Sequence, residues 1–272
     1  MIKRAAAIND RSGLGRCSLT IALPVLSALG VQCCPVPTAV LSSQTDGYRD
    51  YTFTDLTDTL PEYIAHWKAN GEQFDAIYTG FLGSARQIRI VSDFIDSFRR
   101  EKTLVLVDPV MGDNGAMYDS VDRSLCDGIR ELVRHADIIT PNLTEAAILL
   151  GEEEIPEEEE TWLSWSRRLC ALGPKAVAIT GIDNGDGRMC VACCEGERTE
   201  LIYTVRVAKD YPGAGDLFAS VLLGKHLRGS GLHESASEAA AFVAECAELT
   251  YKMNTPAREG LIFEPMLHRL IK

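Results

Sequence analysis

Apolar runs of strand length alternate with helical patterns along almost the whole chain, and that alternation leaves few folds open. RAAAI (4–8), VQCCPVPTAV (31–40), DAIYTG (75–80), TLVLVD (103–108), ADIIT (136–140) and AVAIT (176–180) read as strands. Segments near 16–29, 54–69, 84–100, 121–134 and 157–172 read as helices. Such a rhythm predicts a mainly parallel sheet with helices on both faces. After residue 188 it changes: RMCVACCE and ELIYTVRV flank a turn-like GERT, which predicts an antiparallel hairpin on the sheet edge. Long helices are expected from about Ala214 and from Leu232 to Met253, and a short one after Glu264. With no internal repeat and no linker, residues 1–272 are expected to form one domain.

Hydrophobic residues make up 46% of the chain and charged residues 24%, a balance that supports a packed core rather than disorder. The formal net charge of -12 argues against unaided binding to nucleic acid or to an anionic membrane surface, since both need clustered Lys and Arg. A phosphate ligand stays compatible, because backbone dipoles and a metal ion can hold one inside an acidic protein. No run approaches the roughly 20 apolar residues of a membrane span, and MIKRAAAINDRSGLG turns polar too soon for a secretory signal. The expected location is cytoplasmic. Nine cysteines, an odd number in a long chain, fit reduced thiols better than a disulfide framework. Cys190, Cys193 and Cys194 lack a second Cys or His pair at ligand spacing, so they read as a cysteine-rich buried strand. The acidic run GEEEIPEEEE (151–160) reads as a solvated loop entering a helix, where Glu suits the dipole.

Four segments could carry chemistry. In YPGAGDLFAS (211–220), Gly213 and Gly215 let the backbone approach a ligand, and the first N–H groups of the following helix make an anion hole. A carboxylate there, Asp216, is misplaced for phosphate binding alone but well placed to take a proton from an attacking hydroxyl. A plain helix entrance with Asp in its first turn satisfies the same local pattern. In LVLVDPVMGDNGAMY (104–118), a buried strand ends in Asp108 and a Gly-rich turn carries Asp113. These carboxylates sit where doubly wound sheets bind ligands, and oxygen donors suit Mg²⁺. In ADIITPNLTEAAILLG (136–151), Thr140 ends a strand and Asn142 caps a helix with Glu145 three residues on; the same residues make a capping box. In AVAITGID (176–183), Thr180 reaches the same edge.

Two nucleotide motifs are weighed and set aside. SGLGRCS (12–18) is similar to a dinucleotide fingerprint, but no acidic residue follows the second strand, where LSSQTDGY comes after Val40. The sequence G-x-x-x-x-G-K-[ST] is absent.

Taken together these segments resemble the ribokinase-like superfamily, and within it the vitamin B6 kinases. VDPVMGDNGAMY and ADIITPNLTEAAILLG are similar to segments that those kinases carry in this order, and PGAGD to their catalytic motif. The stretch INDRSGLG through QTDGY resembles their substrate-binding N-terminal region. The resemblance implies a ribokinase-like three-layer α/β/α fold and ATP-dependent phosphorylation of the 5'-hydroxymethyl group of pyridoxal, pyridoxamine or pyridoxine. It implies Asp216 as base, with Gly213, Ala214 and Gly215 as the anion hole. Asp108, Thr140, Asn142, Glu145 and Thr180 would border the nucleotide, Asp113 and Glu145 would serve Mg²⁺, and K⁺ is an optional further cation. Asp10 and Thr45 fall where the family grips the pyridine ring, and a homodimer is implied. Gln44 stands where members often have His, and Asp46 where Gly is common. Tyr211 and Pro212 precede Gly213, so no covalent thiol chemistry is expected. Competing readings are a hydroxymethylpyrimidine, sugar or nucleoside kinase, and a nucleotide-binding regulator without catalysis.

Overall fold

The computed structural model describes residues 2–271. Its main sheet is built from β1 (Lys3–Leu14), β2 (Val31–Ser43), β3 (Phe53–Asp55), β4 (Ala76–Thr79), β5 (Leu104–Val107), β8 (Ile138–Ile139), β9 (Ala176–Asp183), β10 (Arg188–Glu195) and β11 (Arg198–Val205). A separate hairpin pairs β6 (Gly112–Asp113) with β7 (Ala116–Met117). The strand order is β11-β10-β9-β8-β5-β4-β1-β2-β3. The run from β9 through β2 is parallel, while β3, β10 and β11 pair antiparallel.

Central strands covered on both faces need apolar residues at successive positions. Ala5, Ala6, Ala7 and Ile8 meet that need and are all buried. On one face lie α2 (Leu60–Ala69), α3 (Ala85–Phe98), α4 (Arg123–Arg134), α5 (Leu143–Leu150) and α6 (Glu159–Cys170). On the other lie α1 (Ser18–Ala28), α7 (Ala214–Leu227) and α8 (Leu232–Lys252), giving three layers. Helix α3 shows how the sequence does this. Ser84 caps it by accepting from the Gln87 N–H at 3.2 Å. Ile88, Val91, Ile95 and Phe98 then recur on one face and bury against the sheet, each side chain contributing about 1.5–3 kcal/mol.

One expected element divides differently. The segment near 54–69 is not all helix: Phe53–Asp55 pairs with Ala39–Leu41 of β2 as an edge strand, and α2 starts only at Leu60, with Pro61 in its first turn. The first strand also runs past RAAAI to Leu14, with a register shift between Asn9 and Arg11. In β10, Cys190 packs into one core layer and Cys193 into the other, because alternate residues of a strand face opposite ways. They therefore cannot ligate one ion together.

Strand order and chain order place the ligand crevice. β1 lies between β2 and β4, so the winding reverses there, and doubly wound sheets bind ligands beyond the strand C-termini at such a point. Asp10, Asp108 and Thr140 all lie toward the C-terminal ends of parallel strands.

Candidate active site

The entrance of α7 is the centre of the site. Gly213 has φ 81° and caps the helix, and a Cβ built on it would meet the Arg16 carbonyl oxygen at 2.1 Å. Gly215 differs: it is exposed, and a Cβ there would meet nothing within 4 Å. The fold therefore demands glycine at 213 but not at 215. Gly213→Ala is expected to destabilise the protein by about 2 kcal/mol or more, from the left-handed φ and the clash. Gly215→Ala is expected to leave Tm unchanged within about 2 °C while lowering kcat, because the new methyl occupies open space beside the first helical N–H groups. Melting curves and turnover on the two variants check this pair.

Asp216 is held by two donors from the far end of the sequence. Asn9 Nδ2 donates to its Oδ1 at 3.1 Å, and the Ser18 N–H donates to its Oδ2 at 2.8 Å. Burial nevertheless pushes the Asp216 carboxyl up to about 6, against the lowering effect of the Ser18 N–H. Asn9 is itself fixed, since its Oδ1 accepts from the Asp10 and Phe81 N–H groups, each at 2.9 Å. Gly80 leaves room for it: a Cβ there would sit 2.2 Å from Asn9 Nδ2. Ser18 has φ 49° without being glycine, an unfavourable backbone held in place by these bonds. Its hydroxyl donates to Asp10 Oδ1 at 2.5 Å, while the Ser12 hydroxyl donates to Asp10 Oδ2 at 3.1 Å. Asp10 is buried, and burial raises its pKa in spite of the two serines.

The acidic turn forms the facing wall. Asp108 is buried directly after β5 and accepts from the Thr140 hydroxyl at 3.0 Å. Burial first, then the charge of Asp216, pushes its carboxyl up to about 8. Asn142 caps α5 by accepting from the Glu145 N–H at 2.9 Å, and its Nδ2 donates to the Gly112 carbonyl at 2.8 Å. Glu145 accepts from the Asn142 N–H at 2.8 Å and the Met111 N–H at 3.1 Å. The capping box is thus real, and it also ties the β6–β7 hairpin to the helix. Glu145 is buried, and its pKa is raised by that burial and then by Asp108. Thr180 bridges Asn142 in parallel register, its N–H donating to the Pro141 carbonyl at 2.8 Å. Asp113 stands exposed on the hairpin, raised by the surrounding protein and then by Asp210 and Asp46.

Of the residues expected from sequence, Asp108, Thr140, Asn142, Glu145 and Thr180 form one connected cluster, and Gly213, Asp216 and Asp10 another. Asp108 and Asp216 link the two electrostatically. Thr45 stands apart, exposed on the loop after β2 and without a side-chain hydrogen bond among the described residues. Its neighbour Gln44 is buried instead and binds the Asp46 and Arg258 carbonyls and the Asp46 N–H. Asn9 carries no signal of its own in the sequence, and Ser12 and Ser18 enter it only as the ends of the SGLGRCS stretch. The only local hint was polar residues following a fully apolar strand.

No group of three His, Cys, Asp or Glu side chains lies close enough to cage a metal among the described residues. Oxygen donors alone, spread over Asp108, Asp113 and Glu145, fit a hydrated Mg²⁺ held mainly by water and phosphate, and do not fit a closed protein cage.

The phosphomethylpyrimidine kinase family profile matches residues 22–260. The chain belongs to this family. It is 30% identical to a pyridoxine/pyridoxal/pyridoxamine kinase of Bordetella avium, across 93% of this chain and 90% of that protein. A Bacteroides thetaiotaomicron protein assigned as a phosphomethylpyrimidine kinase, solved in a form with pyridoxal, superposes with a TM-score of 0.95 at 41% identity, covering 100% of this chain and 96% of that one. Pyridoxal kinase from Lactobacillus plantarum superposes with a TM-score of 0.92 at 28% identity, covering 100% and 97%. These likenesses agree with the expected ribokinase-like fold and B6 kinase kinship. No helix among the described residues is long and apolar enough to cross a membrane.

Proposed function

We propose that this protein transfers the γ-phosphoryl group of ATP to the 5'-hydroxymethyl oxygen of a B6 vitamer. What carries the proposal is the placement of Asp216: a carboxylate aimed by Asn9 and Ser18, one residue beyond an open glycine, in a chain whose relatives include a vitamer kinase and a protein solved with pyridoxal. Asp216 takes the proton of the acceptor hydroxyl, and the N–H groups at Gly213, Ala214 and Gly215 face the phosphoryl oxygens. Positioning and charge stabilisation carry most of such a reaction, because the phosphoryl group needs little covalent help.

Asp10 and Thr45 hold the ring. Asp108, Thr140, Asn142, Glu145 and Thr180 border the nucleotide, and Asp113 and Glu145 would hold Mg²⁺ through water. Such an ion would supply positive charge against the phosphates. Residues 1–272 act as one kinase domain, cytoplasmic and homodimeric, with K⁺ as an optional cation beside Thr180.

Hydroxymethylpyrimidine is the second acceptor to weigh, because the family profile bears its phosphate's name. ADP release measured with pyridoxal, pyridoxamine, pyridoxine and hydroxymethylpyrimidine separates the two. The expected result is a higher kcat/KM for one of the vitamers than for the pyrimidine. Turnover of the pyrimidine alone would overturn the proposal, and nucleotide binding without turnover on any alcohol would point to a regulator.

A further inference from the structure

Tyr78 lies in β4, fully buried, on the face that packs against α1, α7 and α8. Its backbone pairs with Ala7 on one side and Leu106 on the other, so the phenol rises from the middle of the sheet toward the first turns of α7. There the hydroxyl faces the Asp216 carboxylate and the Ser220 hydroxyl, one turn apart, with Asp108 near enough to act on it electrostatically. It lies within reach of Asp216 and Ser220 without completing a well-formed hydrogen bond to either, and the Ser220 hydroxyl is also without one.

Apolar packing at this position needs only a ring, which Phe would supply. Leaving a buried hydroxyl unpaired is unfavourable, and native structures rarely do so without a reason. A donor kept unpaired beside a carboxylate points to a bond completed at another stage of turnover.

We propose that Tyr78 is a positioning residue for phosphoryl transfer, its hydroxyl closing onto the Asp216 carboxylate once acceptor and nucleotide are bound. The proposal rests on Asp216 being the base. Asn9 and Ser18 hold one oxygen each, from β1 and the start of α1. A third donor, from β4, adds to these two and tightens the hold on the carboxylate as it faces the alcohol. Hydrogen bonds to charged groups are the stronger ones, so the bond is worth making in the loaded site.

The test compares Tyr78→Phe and Ser220→Ala with the unaltered protein by steady-state kinetics, ADP titration and melting. Tyr78→Phe is expected to lower kcat about 10-fold or more, with KM for vitamer and ATP held within about two-fold and Tm no lower. Ser220→Ala is expected to keep kcat within about two-fold. If kcat per ADP-binding molecule is unchanged in Tyr78→Phe, the proposal fails. It fails equally if both variants lose Tm while that kcat is kept, since the hydroxyl then serves a structural bond to Ser220. A silent Tyr78→Phe beside a dead Asp216→Asn overturns only the role of Tyr78, whereas an unaltered protein inert toward every vitamer overturns the proposed function as well.

Discussion

Asp216→Asn is expected to lower kcat by a factor of about 10² or more, the lower range for removal of a general base, while nucleotide binding is kept. Asn fills nearly the same volume, so packing at the start of α7 is preserved. Its amide cannot accept the proton of the alcohol, and it cannot accept from both Asn9 Nδ2 and the Ser18 N–H as the carboxylate does. Measuring ADP affinity alongside turnover separates lost chemistry from lost binding. The same base gives the unaltered protein a pH signature. With its carboxyl pushed up to about 6, Asp216 is increasingly protonated as pH falls through that value, so kcat/KM is expected to decline on the acid side with a midpoint near 6. The Asn variant loses that limb. Near-normal turnover by the variant would remove Asp216 as the base.

Asp108→Asn is expected to be more stable than the unaltered protein, and increasingly so as pH rises. Burial and the Asp216 charge push the Asp108 carboxyl from 3.8 to about 8. Between those values the folded chain binds a proton that the unfolded chain does not, so stability from this group is complete below about pH 4 and is lost as pH climbs toward 8. Asn removes that loss and still accepts from the Thr140 hydroxyl, which donates to Oδ1 at 3.0 Å. The gain is therefore near zero at pH 4 and grows steadily as pH rises toward 8. Denaturant melts of both proteins across this range read it out. A gain that stays flat with pH would show that Asp108 is not held protonated by its surroundings. If Asp108 borders the nucleotide, the stabilised variant also binds ATP differently, a trade of activity for stability expected at functional sites.

The layers of the fold were legible because each central strand is a short apolar run followed by a helical pattern, and burial on both faces demands that composition. The edge was less so. Phe53–Asp55 joins the sheet only because Ala39–Leu41 of β2 lies beside it, and a local pattern carries no record of that partner. The site divides in the same way. Asp108, Asn142 and Asp216 announce themselves by standing where a strand ends or a helix begins. Asn9 does not, since its meaning comes from Asp216, 207 residues away along the chain. Gln44, read as a departure in ring recognition, is a buried clamp on the Arg258 carbonyl, 214 residues distant. Tyr78 read simply as part of an apolar strand, and only the opposing α7 gives its hydroxyl a neighbour.

The most direct measurement is a crystal structure of the protein with pyridoxal and a non-hydrolysable ATP analogue bound together. The Asp216 carboxylate is expected about 2.6–3.2 Å from the 5'-hydroxyl oxygen, with the γ-phosphoryl group over Gly215 and the triphosphate running toward Asp108 and Glu145. A complex in which Asp216 points away from that hydroxyl, or in which vitamer and triphosphate occupy separate clefts, would contradict the account.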